Sequence, residues 1–196
     1  MPTIVLVSGS LRRDSVNTAA LATLRRLVTE RSAEAEAEVE VEVVPLSIGD
    51  LPHFDGDEEQ RGDPPAVAAA KSLVARADAV VISTPSYNGE IPGVLKNALD
   101  WLSRPYSESA LTGRTVAVLS ASPGPRGGVD AQLGLVGVLR RVGARVVEHE
   151  PVAVGGAEEL RTADGDFTDP TVLAGLGSLA DAVLAAVGAA DARVGA

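Results

Sequence analysis

The 196-residue chain predicts an α/β fold, a doubly wound parallel sheet of five strands in the order 2-1-3-4-5 with helices on both faces. Three observations carry this expectation. Short β-branched apolar runs alternate with segments of helical apolar spacing, which calls for a parallel sheet covered on both sides. Parallel crossovers are right-handed, which restricts the available strand orders. The loops densest in polar residues and glycine follow the first and third runs, and in such sheets ligand loops flank the point where strand order reverses.

The elements follow in order. Thr3–Ser8 reads as a buried strand closed by Gly9. Ser15 to Arg31 carries the stripe Val16, Ala20, Leu24, Leu27 and Val28 of an amphipathic helix, with Ser15 as its N-cap. Ala33–Glu38 is a charged connector, and Val39–Val44 alternates Val with Glu as an edge strand does. Gly49 to Pro65 is a long irregular stretch rich in Pro, Gly and acid, a length that marks a functional or mobile loop. Ala66–Arg76 suits a helix and Ala79–Ser83 a central strand. Pro92 opens a helix whose stripe is Ile91, Val94, Leu95, Ala98, Leu99 and Leu102. Arg114–Leu119 is a fourth strand, Val129–Val142 a fourth helix, and Arg145–Val154 a fifth strand. A helix from Val172 to Val187 closes a single domain spanning residues 1–187, and residues 188–196 read as a frayed tail.

Composition excludes several classes of function. Hydrophobic residues make up 45% and aromatics 3%, so the core must be built mostly from Val, Leu and Ala. The net charge of −10 argues against a nucleic-acid partner, which needs a concentrated positive face. With no cysteine there is no disulfide, thiol nucleophile or cysteine-held metal. His53 and His149 stand in no metal-binding spacing, so no protein-held metal is expected. The start, Met1-Pro2-Thr3, has no basic leader, and the apolar runs look too short to span a bilayer. The expectation is a cytoplasmic protein without a membrane partner.

Two loops carry the chemistry. Gly9-Ser10-Leu11-Arg12-Arg13-Asp14-Ser15-Val16-Asn17-Thr18 surrounds the start of the first helix with short donors and a guanidinium fork. A phosphate monoester favours the free N–H groups of a helix N-terminus and the planar fork of an arginine. A single capping serine beside solvated arginines would look the same residue by residue; the cluster after a first strand is what points to an anion. Neither a Gly-x-Gly-x-x-Gly fingerprint nor a Walker lysine loop occurs. The second loop, Pro85-Ser86-Tyr87-Asn88-Gly89, offers a ring, an amide and close backbone approach, which suit a flat heterocycle, though Asn-Gly also marks an ordinary turn. A third, Ser120 to Gly128, is rich in glycine and can offer backbone amides to the polar edge of a ring. Together they suggest a mononucleotide with a phosphate at one end and a planar ring at the other.

GSLRRDSVNTAAL, TPSYNGEIPGVLKNALDWLSRP and SASPGPRGG resemble the NADPH-dependent FMN reductases, flavodoxin-like relatives of quinone, azo and chromate reductases. The resemblance runs from Thr3 to about Val154. It implies a flavodoxin-like fold and noncovalent FMN, with phosphate contacts at Ser10, Arg12, Ser15, Asn17 and Thr18. Ring contacts would fall on Pro85, Ser86, Tyr87, Asn88 and Gly89, with Ser122 and Gly124 near the pyrimidine end. NADPH or NADH would supply hydride, and a small-molecule acceptor such as a flavin or quinone would receive the electrons. No side chain is nominated as an acid or base, because the cofactor carries the hard chemistry. The resemblance also implies a homodimer, with a tetramer as the variant, in which the interface lies beside the flavin and His53 and Phe54 could reach a neighbouring site. Many quinone- and chromate-reducing relatives carry glutamate where this chain has Ser86, and arginine where it has Asp130. Those departures leave the general flavin-reductase reading rather than a chromate- or quinone-specific one.

The competing class is a flavodoxin-type electron carrier, which would bind FMN without nicotinamide turnover. Tyr87 is the one obvious stacking ring in the site loops, which suits a reductase that leaves a ring face open. A serine hydrolase lacks its Gly-x-Ser-x-Gly elbow here. Trp101 reads as either core or subunit contact, and Arg126 as a partner for a nicotinamide 2′-phosphate.

Overall fold

The computed structural model describes residues 1–34 and 40–194, the last five of these by backbone alone. Its strands are β1 (Thr3–Ser8), β2 (Glu42–Leu46), β3 (Ala79–Thr84), β4 (Thr115–Ala121), β5 (Arg145–Val146) and β6 (Val152–Val154). Its helices are α1 (Val16–Glu34), α2 (Gly56–Arg61), α3 (Pro65–Arg76), α4 (Gly93–Leu102), α5 (Val129–Arg141), α6 (Ala157–Leu160) and α7 (Pro170–Val194).

The sheet is parallel throughout, in the order β2-β1-β3-β4-β5, as the crossover argument requires. Successive strand residues point to opposite faces. Ile4, Leu6, Ala79, Val81, Ala117 and Leu119 therefore face α1 and α7, and Val5, Val7, Val80, Ile82, Val116 and Val118 face α3, α4 and α5. Both faces are apolar, which is why the central strands read as continuous Val/Ile runs.

The boundaries differ at instructive places. The fifth strand is two short pieces, β5 and β6, both paired to β4. The interruption contains Glu148, His149, Glu150 and Pro151, two charged side chains and a proline without a ladder donor. The second strand begins at Glu42 rather than Val39 because β1 templates it, Thr3 lying opposite Glu42 and Val7 opposite Leu46. Its Pro45 is tolerable on an edge strand, and Val39 and residues 35–38 of the connector lie outside the described residues. Two short helices went unread. Asp55 caps α2 by accepting from the Asp57 N–H at 2.8 Å, and three acids occupy the first turn.

The helix α7 continues past Gly188, where the expected tail begins, to Val194. Pro170–Ala189 is long and apolar enough to cross a membrane, with mean hydropathy 1.8, contrary to the expectation that no apolar run reaches that length. Small residues and a lone Asp181 hide the span from a search for uninterrupted runs of large apolar side chains. In the fold this helix lays Val172, Leu176, Leu179, Val183 and Val187 against α1 and the sheet.

The long acidic stretch is anchored rather than loose. Trp101, 0% exposed, donates from Nε1 to the Pro52 carbonyl at 2.8 Å, and its ring meets Phe54 edge-on at 4.9 Å. Trp101 is thus a core residue. Asn97 reinforces the attachment, donating to Pro52 at 2.8 Å and accepting from the Phe54 N–H at 2.7 Å. Phe54 tucks inward, half-buried against Trp101, while His53 is exposed.

Candidate functional site

Three loops leave the carboxyl ends of β1, β3 and β4 and meet. The Gly9 N–H donates to the Ser83 carbonyl at 2.7 Å, and a Cβ at Gly9 would lie 3.0 Å from Leu95 and 3.2 Å from Pro85. The first loop therefore passes directly against the second. The third closes on the second through Gly128, whose missing Cβ would sit 3.4 Å from Ser86 and 3.5 Å from Ser120. This is the crevice at the reversal of strand order, between β1 and β3.

In the first loop, Ser15 caps α1, its Oγ accepting from Asn17 N–H at 3.2 Å and Thr18 N–H at 3.4 Å. Ser10 Oγ accepts from the Arg12 N–H at 3.3 Å, which folds the loop back on itself. Backbone N–H groups of Leu11, Arg13, Asp14 and Val16 find no acceptor among the described residues. Arg12 is exposed and reaches Glu158 at 3.5 Å, a long contact that an anion can displace.

Two expected phosphate ligands have other work. The side chain of Asn17 is 1% exposed and bonded to β3 and β4, accepting from Ser83 Oγ at 2.8 Å and donating to the Ala121 carbonyl at 2.9 Å. The Thr18 hydroxyl donates to Ser8 Oγ at 3.0 Å. Both lie on the first turn of α1, Asn17 turned inward to the strands and Thr18 exposed.

The second loop turns sharply. Tyr87 and Glu90 exchange both backbone hydrogen bonds, at 3.0 and 3.1 Å, across a two-residue turn. Asn88 (φ 56°) and Gly89 (φ 85°) are both left-handed, as such a primed turn demands. Tyr87 is left 49% exposed, Pro85 is buried, and Ser86 presents an N–H without an acceptor among the described residues. In the third loop the Ser122 hydroxyl accepts from the Gly124 N–H at 3.2 Å, so both shape the turn. Gly127 is required there, since a Cβ would lie 2.6 Å from the Ala153 carbonyl carbon. Arg126 is paired with Asp130 at 2.6 Å rather than free.

Sequence reasoning missed the segment after β6. Arg161 donates to the Asp14 carbonyl at 3.2 Å, and Gly156 N–H to the Gly124 carbonyl at 3.2 Å, so this segment buttresses two of the three loops. The signal was Gly155-Gly156 at the carboxyl end of the last strand, obscured because that strand is broken.

Fold and site together define a flavodoxin-like protein whose polar and glycine-rich loops meet at its switch point. The particular family follows from comparison: the chain belongs to the NADPH-dependent FMN reductase family, whose model matches residues 2–159. It is 34% identical over 168 residues to a quinone reductase of Pseudomonas putida, covering 86% of each chain. It is 40% identical over 136 residues to a 2-hydroxy-1,4-benzoquinone reductase of a Burkholderia species, covering 69% of this chain and 68% of that one. Among solved structures it resembles FerB, a flavoenzyme NAD(P)H:(acceptor) oxidoreductase of Paracoccus denitrificans, with TM-score 0.83, 33% identity and coverage of 95% and 97%. The chain is accordingly an FMN-dependent enzyme with a nicotinamide donor, and the electron-carrier alternative is not favoured.

Proposed function

We propose that the three-loop cleft holds FMN and that the enzyme passes electrons from NAD(P)H to small quinones. The observation that carries this reading is the meeting of the loops through Gly9, Ser83 and Gly128. The donor set fits the cofactor. Free N–H groups at the start of α1, Ser10, Ser15 and the Arg12 guanidinium match a phosphate that is nearly doubly charged. Pro85, Ser86, Tyr87, Asn88 and Gly89 would border the ring, with Gly124 and Ser122 shaping the loop at its polar end.

Bound FMN would supply the redox chemistry, accepting hydride from the nicotinamide and releasing electrons to the acceptor. The protein's task is binding and orientation. The rigid turn at Asn88-Gly89 holds Tyr87 at the cleft edge, and Arg12 neutralises the phosphate. No side chain need move a proton. A quinone as acceptor is supported by the names of the relatives, which outweigh the Ser86 and Asp130 departures.

The reading includes a homodimer acting in the cytoplasm, where reduced nicotinamides are held. Exposed Tyr87 and Leu133 support a second copy over the cleft mouth, with Glu90 packed 3.4 Å from the Cβ position of Gly134. The test is anaerobic. FMN-loaded protein should lose its oxidised-flavin absorbance on addition of NADPH or NADH and recover it on addition of a benzoquinone. A protein that binds no FMN, or whose reduced flavin ignores quinone, would end the proposal. Light scattering gives the assembly.

A further inference from the structure

We infer that Asn17 is a positioning residue that locks the phosphate-facing loop to both ring-facing loops and makes no contact with the phosphate; the inference rests on the FMN reading above. Asn17 sits in the first turn of α1, two residues after the cap. Its Oδ1 accepts from the Ser83 hydroxyl at 2.8 Å and from the Ala121 N–H at 3.1 Å. Its Nδ2 donates to the Ala121 carbonyl at 2.9 Å. One buried amide thus ties the opening of α1 to the last turns of chain before Pro85 and before Ser122.

Apart from the Thr18–Ser8 hydroxyl pair on β1, α1 meets the sheet through apolar side chains, Val16, Ala20, Leu24 and Leu27. Such contacts are non-directional. The three hydrogen bonds of the Asn17 amide, to two further strands, are directed. Asn17 also links to the phosphate end, because its backbone N–H donates to the capping Ser15 Oγ. A phosphate seated on the N-terminus of α1 and a ring resting on the Ser86–Gly89 turn therefore share one reference point. The ring-facing turns are held in place there whether or not a phosphate is bound, because Ser83 and Ala121 root them.

Among the described residues no other side chain bonds α1 to both β3 and β4. Ser83 is buried and donates only to Asn17, and the Ala121 N–H, at the end of β4, would be stranded without it. Aspartate keeps the oxygen that accepts both bonds but loses the donor to Ala121 and places charge against a carbonyl. Leucine fills the space and leaves three polar groups unpaired.

The experiment compares affinities for FMN and riboflavin, which differ only in the phosphate. Titrations use wild type, Asn17→Ala, Ser83→Ala, the double variant and Arg12→Ala, with folding of each flavin-free protein followed by thermal unfolding. Arg12→Ala serves as the reference for a phosphate contact and should weaken FMN alone. Asn17→Ala should weaken FMN and riboflavin by the same factor, about tenfold or more. Ser83→Ala should weaken both by a smaller common factor, and the double variant should match Asn17→Ala, since the two side chains act as a unit. A lowered unfolding temperature with riboflavin affinity unchanged would reduce Asn17 to ordinary packing and overturn the inference. So would a loss confined to FMN, or additivity of the two substitutions. If Asn17→Ala does not fold, Ser83→Ala decides by the same FMN-to-riboflavin comparison. Wild type that binds neither flavin would remove the cofactor reading itself, a distinct result.

Discussion

The Gly9 N–H and the Ser83 carbonyl are 2.7 Å apart, so the roots of the loops after β1 and β3 are one hydrogen bond from each other. There is no room between them for a side chain. A Cβ at Gly9 would meet Leu95 at 3.0 Å, the Ser83 carbonyl at 3.1 Å and Pro85 at 3.2 Å. Gly9→Val is expected to lower stability by ~1–3 kcal/mol, the cost of overpacking, and to loosen flavin binding. Denaturant unfolding and a flavin titration check both. Unchanged stability would mean that the two loops separate freely.

In the loop after β1, Arg12 holds only a long, exposed contact to Glu158 at 3.5 Å. Loss of a charge-assisted contact costs ~1.5–3 kcal/mol. Arg12→Ala should therefore weaken FMN roughly ten- to hundredfold, with riboflavin unaffected. Fluorescence quenching of each flavin reads the difference.

The turn at Asn88-Gly89 holds two successive left-handed residues. A side chain with a branched Cβ there costs ~1–2 kcal/mol, whereas glycine costs little. Asn88→Gly should leave nicotinamide oxidation intact, while Gly89→Val should raise the KM for quinone by disordering Tyr87. Equal behaviour of the two variants would disconnect the turn from the acceptor site.

Trp101 attaches the acidic segment to α4 through Pro52 and Phe54. Trp101→Phe removes one hydrogen bond, worth ~1 kcal/mol, and should expose the stretch around Gly49–Pro65 to limited proteolysis. Trp101→Ala empties a large buried site and should cost ~3–5 kcal/mol by thermal or denaturant unfolding. Resistance of the Phe variant to cleavage would show that Asn97 alone suffices.

Much of the cleft was legible because its signals are local. Gly9 marks a close approach of two loops, the Ser15 hydroxyl caps a helix start, and the Asn-Gly pair makes a left-handed turn. The broken fifth strand was not legible, since apolar residues on either side of Glu148–Pro151 read as one run. Arg161 went unseen for a related reason: its contact with Asp14 spans 147 positions of chain and has no local pattern. Asn17 shows the limit most clearly. Its position beside a phosphate-type cap made it look like a ligand, yet its amide turns toward the strands.

The sequence by itself determined the strand order, the crevice and the chemistry of the loops that line it, because periodicity, capping and turn preferences act over a few residues. Only the tertiary structure decided which polar side chains stay open in the crevice and which are consumed in holding the fold. That division depends on the direction of each side chain relative to strands far away in the chain, as Asn17 and Ser83 show at 66 positions apart.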